Sequence, residues 1–203
     1  MKRNKPYVLG LTGGIACGKT HVARQLRALG VPVLDADAIS RSLTAPGGEA
    51  LPAIRSRFGS EVFDGETLDR RALGEAVFHD AEKRRDLEKI IHPLVIGRMR
   101  RETEQSTAPI VGWDVPLLYE AGMDAQCDEV WTVYVTAEEQ RRRVMRRDGL
   151  TAEQAQARID SQMPLSEKRK RARHAISTMG DQGSTRRRVR RLLRDLQRRL
   201  RFE

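Results

Sequence analysis

The sequence predicts an α/β fold of three layers, in which a five-stranded parallel sheet lies between helices. Three observations support this prediction. Short apolar runs alternate with stretches of helical periodicity near both ends of the chain, a glycine-rich turn joins the first strand to the first helix, and strand patterns are absent from the middle. The 203 residues suffice for one domain with an insertion.

The first four elements form two successive strand–helix units. Tyr7–Leu11 is an apolar run typical of a buried strand, and Gly18–Leu29 has apolar residues at helical spacing. Gly30 follows at the position where glycine commonly ends a helix. A second strand, "VPVLDAD", precedes a helix that begins over Ala38–Leu43. This order predicts right-handed crossovers and therefore parallel strands.

The middle of the chain, from Pro46 to about Ser106, has no strand pattern. Its composition is typical of several helices, including one over "DRRALGEAVF". We therefore expect a core built from residues 1–45 and 106–203 and a helical insertion of residues 46–105.

Strands resume after the insertion, at "APIVGWDVPLL" and "DEVWTVYV". An arginine-rich helix, a helix over about Ala152–Met163 and a weak strand at "RHAISTM" follow. The C-terminal segment has one apolar stripe on an otherwise arginine-covered helix, which favours a helix docked on the sheet with a solvated basic face. The stripe consists of Val189, Leu192, Leu193, Leu196 and Leu200.

The charge composition indicates the kind of partner. A formal net charge of +10 favours a polyanion: a nucleic acid, a membrane surface or a small phosphorylated substrate. No apolar run approaches the roughly 20 residues of a membrane span, and the N-terminus has no signal-peptide pattern. We expect a cytoplasmic protein that acts as a monomer, with an oligomer left open, and no disulfide between Cys17 and Cys127.

The segment Gly13–Thr20, "GGIACGKT", matches the phosphate-loop pattern G-x-x-x-x-G-K-[ST] in full. Its glycines let backbone N–H groups converge on phosphate oxygens, and the following helix N-terminus adds further donors. Lys19 would face the β- and γ-phosphates, and the Thr20 hydroxyl would bind Mg²⁺. The predicted nucleotide-binding residues are Gly13, Gly14, Ile15, Ala16, Cys17, Gly18, Lys19, Thr20 and His21.

Cys17 stands beside a helix N-terminus and close to Lys19, surroundings that lower a thiol's pKa. This position predicts a reactive thiol whose oxidation or alkylation blocks ATP binding, with bound ATP protecting it.

Three aspartates follow predicted strands, at the ends where α/β sheets hold their ligands. Asp35 and Asp37 follow the second strand, and each could accept the proton of an acceptor hydroxyl or cap the next helix. The residues by themselves leave both roles open for Asp35 and for Asp37. Asp114 could bind Mg²⁺ through water, as a Walker-B aspartate does, or be a turn residue.

Arg143 and Arg147 are separated by four residues in the arginine-rich helix and can share a face. In a small-molecule kinase, a mobile arginine-bearing lid neutralises the transferring phosphoryl group and excludes water. We expect such a lid at about residues 137–165.

With these motifs placed, the chain resembles the dephospho-coenzyme A kinases over nearly its whole length. The resemblance rests on six motifs in family order: "GLTGGIACGKT", "DADAISR", "LDRRALGEAVF", "IHPLV", "DVPLLYE" and "QRRRVMRRDGLT". It implies a P-loop kinase fold with a lid, ATP and Mg²⁺ as cofactors, and phosphoryl transfer to the ribose 3′-hydroxyl of dephospho-coenzyme A. The insertion would bind this acceptor.

The resemblance also implies individual roles. Asp37 matches the position proposed for the family's catalytic base, and Arg143 and Arg147 match its lid arginines. The predicted catalytic residues are Asp37, Lys19, Arg143 and Arg147, the predicted substrate-binding residues are Asp35, Asp37, Arg70 and His92, and the predicted metal ligands are Thr20 and Asp114. His92, which precedes Pro93, could equally be structural, and Glu120 receives no role.

The chain departs from the family pattern at two places. Cys17 stands where a serine or small residue is usual, and Thr20-His21 where Ser-Thr is frequent. The segment Ala172–Gly180 lacks the Asp-Asn pair expected near the adenine, so base recognition is expected to use backbone contacts. Two alternatives remain: another nucleotide or small-metabolite kinase, and a nucleic-acid-binding P-loop protein that uses the C-terminal arginines.

Overall fold

The computed structural model describes residues 5–78 and 80–202. Within them the strands are β1 (Tyr7–Gly13), β2 (Val33–Asp35), β3 (Phe63–Asp64), β4 (Thr67–Leu68), β5 (Ile110–Asp114), β6 (Glu129–Tyr134) and β7 (His174–Ser177). The α-helices are α1 (Lys19–Ala28), α2 (Ala36–Leu43), α3 (Leu51–Phe58), α4 (Arg70–Phe78), α5 (Ala81–Glu104), α6 (Ala137–Asp148), α7 (Ala152–Asp160), α8 (Leu165–Arg171) and α9 (Gln182–Phe202). Short 3₁₀ helices lie at Ser60–Val62 and Met123–Gln126.

The chain divides into two compact units. The first contains the residues up to Leu34 and those from Thr103 onward, and the second is Asp35–Glu102. Among the described helices, none combines the length and the apolar character that crossing a bilayer would require.

The first unit is built on a five-stranded sheet of order β2-β5-β1-β6-β7. β1 pairs in parallel with β5 and with β6, and β6 pairs in parallel with β7. The predicted α/β fold with a five-stranded parallel sheet is therefore confirmed. Because the strands are parallel, their C-terminal ends lie at the same end of the sheet. The residues that follow β1 and β5 therefore lie close together there.

Helices α1 and α9 supply the core on one face of the sheet. Their apolar side chains pack with those of Leu11, Trp131 and Ile176 in a single buried cluster. The C-terminal stripe behaves as predicted, because Val189, Leu192, Leu193 and Leu196 are buried and Leu200 packs against the cluster. On the opposite face, the Thr132 hydroxyl of β6 donates to the carbonyl oxygen of Lys168 in α8 at 3.1 Å.

The sequence determines several helix ends directly. At the end of α1, the Gly30 N–H donates to Arg27 O and the Val31 N–H to Leu26 O. This is the Schellman pattern, and Gly30 has the positive φ of 84° that the pattern needs. Thr136 caps the N-terminus of α6, and Thr151 forms a capping box on α7.

Two predictions about elements are wrong. The insertion does contain strands, because β3 and β4 form a hairpin in which Asp64 pairs with Thr67 across Gly65 and Glu66. Glycine at the first position of a two-residue turn, here Gly65, is a known hairpin signal, but two-residue strands are too short to show alternation. The helix predicted to reach Met163 ends at Asp160, and the unpredicted helix α8 follows Pro164, which stands at its N-cap.

Candidate active site

The phosphate loop leaves the carboxyl end of β1, the central strand of the sheet. Gly18, immediately before α1, has a φ of 85°, which residues with a Cβ rarely adopt. A Cβ on Gly13 would lie 2.7 Å from the carbonyl oxygen of Val133. Glycine is therefore required at Gly18 by conformation and at Gly13 by close packing. Ala16 has a positive φ of 58° without being a glycine.

Several hydrogen-bond donors at this loop have no partner within residues 5–78 and 80–202. No described residue accepts a hydrogen bond from the backbone N–H groups of Ala16, Gly18, Lys19 or Thr20. The Nε2 atom of His21 is also buried without a partner among the described residues. Unpaired donors at a helix N-terminus match the oxygens of a nucleotide's phosphates, so the loop fits ATP.

Lys19 and Asp114 form an ion pair through Nζ and Oδ1. The strand register pairs Leu11 with Asp114, which places this carboxylate at the sheet edge where the loop begins. Thr20 is exposed in the first turn of α1. Because Mg²⁺ prefers a hydroxyl or carboxylate oxygen and completes its shell with phosphates and water, Thr20 and Asp114 have the chemistry to hold it.

Arg143 is connected to the phosphate loop through Thr178. Its guanidinium donates to Glu139 Oε1 at 2.6 Å and to the Thr178 carbonyl oxygen at 2.9 Å. The Thr178 hydroxyl in turn donates to the Cys17 carbonyl oxygen at 2.7 Å. Hydrogen bonds from Arg142 and Arg143 lower the pKa of Glu139 to about 2. The structure thus joins Arg143, Thr178 of the atypical segment and the phosphate loop.

Arg147 has a different partner. Its guanidinium makes a double hydrogen bond to the adjacent carboxylate of Asp148 at 2.8 and 3.0 Å, and its side chain is exposed. Arg158 of α7 donates to the same carboxylate at 2.9 Å. Arg143 and Arg147 therefore share a helix but not a partner.

The other predicted site residues belong to the second unit. Asp35 is the N-cap of α2, where its side chain accepts from the Ala38 N–H at 2.9 Å. Asp37 is exposed in the first turn of the same helix. Arg70 opens α4 and donates to the Arg41 carbonyl oxygen at 3.1 Å. His92 is half-buried within α5, which continues through Pro93. Their substrate-binding and catalytic roles stay predictions.

Glu120 and the buried Lys168 form an ion pair that the sequence did not predict. Lys168 is fully buried, and its Nζ donates to Glu120 Oε1 at 2.8 Å and to the Pro116 carbonyl oxygen at 2.9 Å. Glu120 Oε1 also accepts from the Met163 N–H at 2.9 Å. This contact gives Glu120 a structural role, because it joins the loop after β5 to the segment before α8.

The interpretation of Cys17 as a reactive thiol is wrong. The side chain is fully buried in the cluster between α1 and the sheet. Burial raises the pKa of the Cys17 thiol to about 11 and that of Cys127 to about 12. Because the Cys17 side chain lies in the core, its thiol is neutral near pH 7.

We therefore expect Cys17 to resist alkylation in the folded protein. Iodoacetamide at pH 7.5 should label neither thiol appreciably, with or without Mg-ATP, because the reactive thiolate is scarce and buried. Mass spectrometry of tryptic peptides measures the labelling, and urea-unfolded protein is the positive control. Rapid labelling of Cys17 that Mg-ATP slows would contradict this expectation.

Unpaired backbone donors at the end of a central parallel strand, with Lys19 beside them, are suited to the phosphates of a nucleoside triphosphate. This fold and this site define the class of P-loop nucleotide-binding proteins. The family model for dephospho-CoA kinase matches residues 7–182. The chain belongs to the dephospho-CoA kinase family.

Individual relatives cover most of the chain. The dephospho-CoA kinase of Anaeromyxobacter dehalogenans (strain 2CP-C) is 47% identical over 194 residues, which are 93% of this chain and 92% of the relative. That of Parasynechococcus marenigrum (strain WH8102) is 46% identical over 173 residues, or 85% and 87% of the two chains. A crystal structure from Thermus thermophilus has a TM-score of 0.82 and 37% identity, covering 95% of this chain and 98% of its own.

Proposed function

We propose that this chain transfers the γ-phosphoryl group of ATP to the ribose 3′-hydroxyl of dephospho-coenzyme A, giving coenzyme A and ADP. The observation that carries this proposal is the family match over residues 7–182. The matched region includes the phosphate loop with its unpaired donors, Asp37, the ion pair of Lys19 with Asp114, and the arginine-rich helix α6.

Each group has one task in the proposed reaction. The N–H groups of the loop and Lys19 hold the phosphates of ATP and balance the negative charge of the phosphoryl group in transfer. Asp37 accepts the proton of the ribose hydroxyl. Mg²⁺, bound by Thr20 and Asp114, would offset phosphate charge. Arg143 and Arg147 supply further positive charge from the lid.

Three further segments of the chain have tasks in the proposed reaction. Residues 46–105 bind dephospho-coenzyme A, with Arg70 and His92 among the contacts, and residues 137–165 form the lid. The adenine of ATP lies beside Ala172–Gly180 and is recognised through backbone groups. The enzyme acts in the cytoplasm, where ATP is available, and as a monomer.

A substrate panel tests the function. Purified protein is incubated with Mg-ATP and dephospho-coenzyme A, AMP, UMP or shikimate, and ADP and phosphorylated product are measured by mass spectrometry. We expect rapid formation of coenzyme A only, and its loss when EDTA removes Mg²⁺. Turnover of a nucleoside monophosphate without any phosphorylation of dephospho-coenzyme A would refute the proposal.

A further inference from the structure

Ile15, in the middle of the phosphate loop, has both of its backbone polar groups bound by glutamine side chains. Its N–H donates to Gln162 Oε1 at 3.0 Å. Its carbonyl oxygen accepts from Gln140 Nε2 at 3.1 Å. Gln140 lies in the first turns of α6, and Gln162 lies between α7 and α8. Two separate elements of the segment at residues 137–165 therefore contact one residue of the loop.

The partner atoms determine the orientation of each glutamine amide. A carbonyl oxygen can only accept a hydrogen bond, so Gln140 must present its NH₂ group to Ile15. An N–H can only donate, so Gln162 must present its oxygen. Gln140 is thus a donor to Ile15 and Gln162 is an acceptor from it. A substitution that removes only the donor group can therefore distinguish their contributions.

The loop around Ile15 needs this support. Ala16 has a φ of 58°, a conformation that a non-glycine residue keeps only where its neighbours hold it. The N–H groups of Ala16, Gly18, Lys19 and Thr20, which have no partner among the described residues, follow Ile15. Because Ile15 precedes them directly, its position sets the direction of these donors.

Both glutamines are in turn held in place. Gln140 is 4% exposed and lies on the same helix as Arg143, which binds Thr178. The residue after Gln162 donates its N–H to Glu120, the partner of the buried Lys168. A cavity of about 440 Å³ borders Gly14 and both glutamines, so a changed side chain at either position has room to move without displacing the core.

We propose that Gln140 and Gln162 are positioning residues of the kinase, which clamp Ile15 so that the donors of the loop stay directed at the phosphates of ATP. The clamp rests on the proposed function only in that the loop binds ATP. It also connects the segment at residues 137–165 to the phosphate loop, because both side chains contact Ile15.

A pair of charge-matched substitutions tests the clamp. Gln162→Glu keeps an oxygen that accepts from the Ile15 N–H, whereas Gln140→Glu removes the donor and places an oxygen against the Ile15 carbonyl oxygen. When ionised, both variants add one negative charge beside the same peptide. Gln197→Glu, on the exposed face of α9, is the control for the substitution itself.

We expect Gln140→Glu to raise the Kd for Mg-ATP about tenfold more than Gln162→Glu does. The introduced carboxylate leaves the Ile15 carbonyl oxygen without a donor and repels it. Gln197→Glu should bind like the unaltered chain. Isothermal titration calorimetry measures Kd, and steady-state kinetics should show a raised KM for ATP in Gln140→Glu with the KM for dephospho-coenzyme A unchanged.

Equal losses of ATP affinity in the two variants would overturn the clamp, since charge alone would then explain them. A Gln140→Glu protein with normal Kd and a reduced active fraction would also overturn it, because that is the result of general destabilisation. The readout is ATP binding, so it is independent of the acceptor: absence of dephospho-coenzyme A phosphorylation by the unaltered chain refutes the proposed function and leaves the clamp to be judged on Kd.

Discussion

Replacing Asp37 with asparagine is expected to lower kcat with dephospho-coenzyme A by about 10²–10⁴-fold, the usual contribution of a positioned general base. Asparagine has the same shape but cannot take the proton of the ribose hydroxyl. Asp37 is exposed and Asp35 is the residue that caps α2, so the substitution should leave the helix intact. Coupled ADP-release kinetics measure kcat, and calorimetry measures the Kd for Mg-ATP, which should not change.

Asp195→Asn is a matched control, because Asp195 is an exposed aspartate on α9. Its kcat should equal that of the unaltered chain. Weaker ATP binding by Asp37→Asn with little change in kcat would instead indicate a metal-binding or structural role for Asp37.

The second large effect is expected on stability. Lys168→Met should lower the free energy of unfolding by about 2 kcal/mol, because it removes a buried cation and leaves both of its acceptors without their donor. Lys168 is fully buried, Glu120 is 23% exposed, and the Pro116 carbonyl oxygen also loses a donor. Urea unfolding, followed by circular dichroism, measures the change.

Two further variants make this result specific. Lys170→Met removes a lysine of the same helix that pairs with Glu167 while 72% exposed, and it should cost less than about 1 kcal/mol. Adding Glu120→Gln to Lys168→Met should recover part of the loss, since no unpaired charge remains. If Lys168→Met is no more destabilising than Lys170→Met, the pair of Lys168 with Glu120 does not contribute to stability as we infer.

The sequence predicted the sheet and most helices because their patterns are long. β1, β5 and β6 are apolar runs, and α9 has a stripe that repeats over several turns. The same approach missed β3 and β4, whose two residues each are too few for alternation. It also missed α8, a seven-residue helix of mostly charged residues without a clear apolar face.

Some features of the candidate site could be predicted from the sequence and others could not. The phosphate loop was evident because its residues are contiguous and its chemistry depends on local backbone conformation. The role of Glu120 was not evident, because its partners Lys168 and Met163 lie far along the chain. Gln140 stands inside an arginine-rich motif that drew attention to charge, although the structure directs its amide at Ile15.

Cys17 shows most clearly what the sequence determines and what only the tertiary structure decides. The sequence by itself determined that a phosphate-binding loop lies between a strand and a helix, since glycine conformations and helix donors are properties of neighbouring residues. Only the tertiary structure decided that the Cys17 side chain faces the core, and therefore that the pKa of its thiol is raised and not lowered. Burial, ion pairing and the glutamine contacts to Ile15 depend on which elements pack together, and neighbours in sequence do not determine that packing.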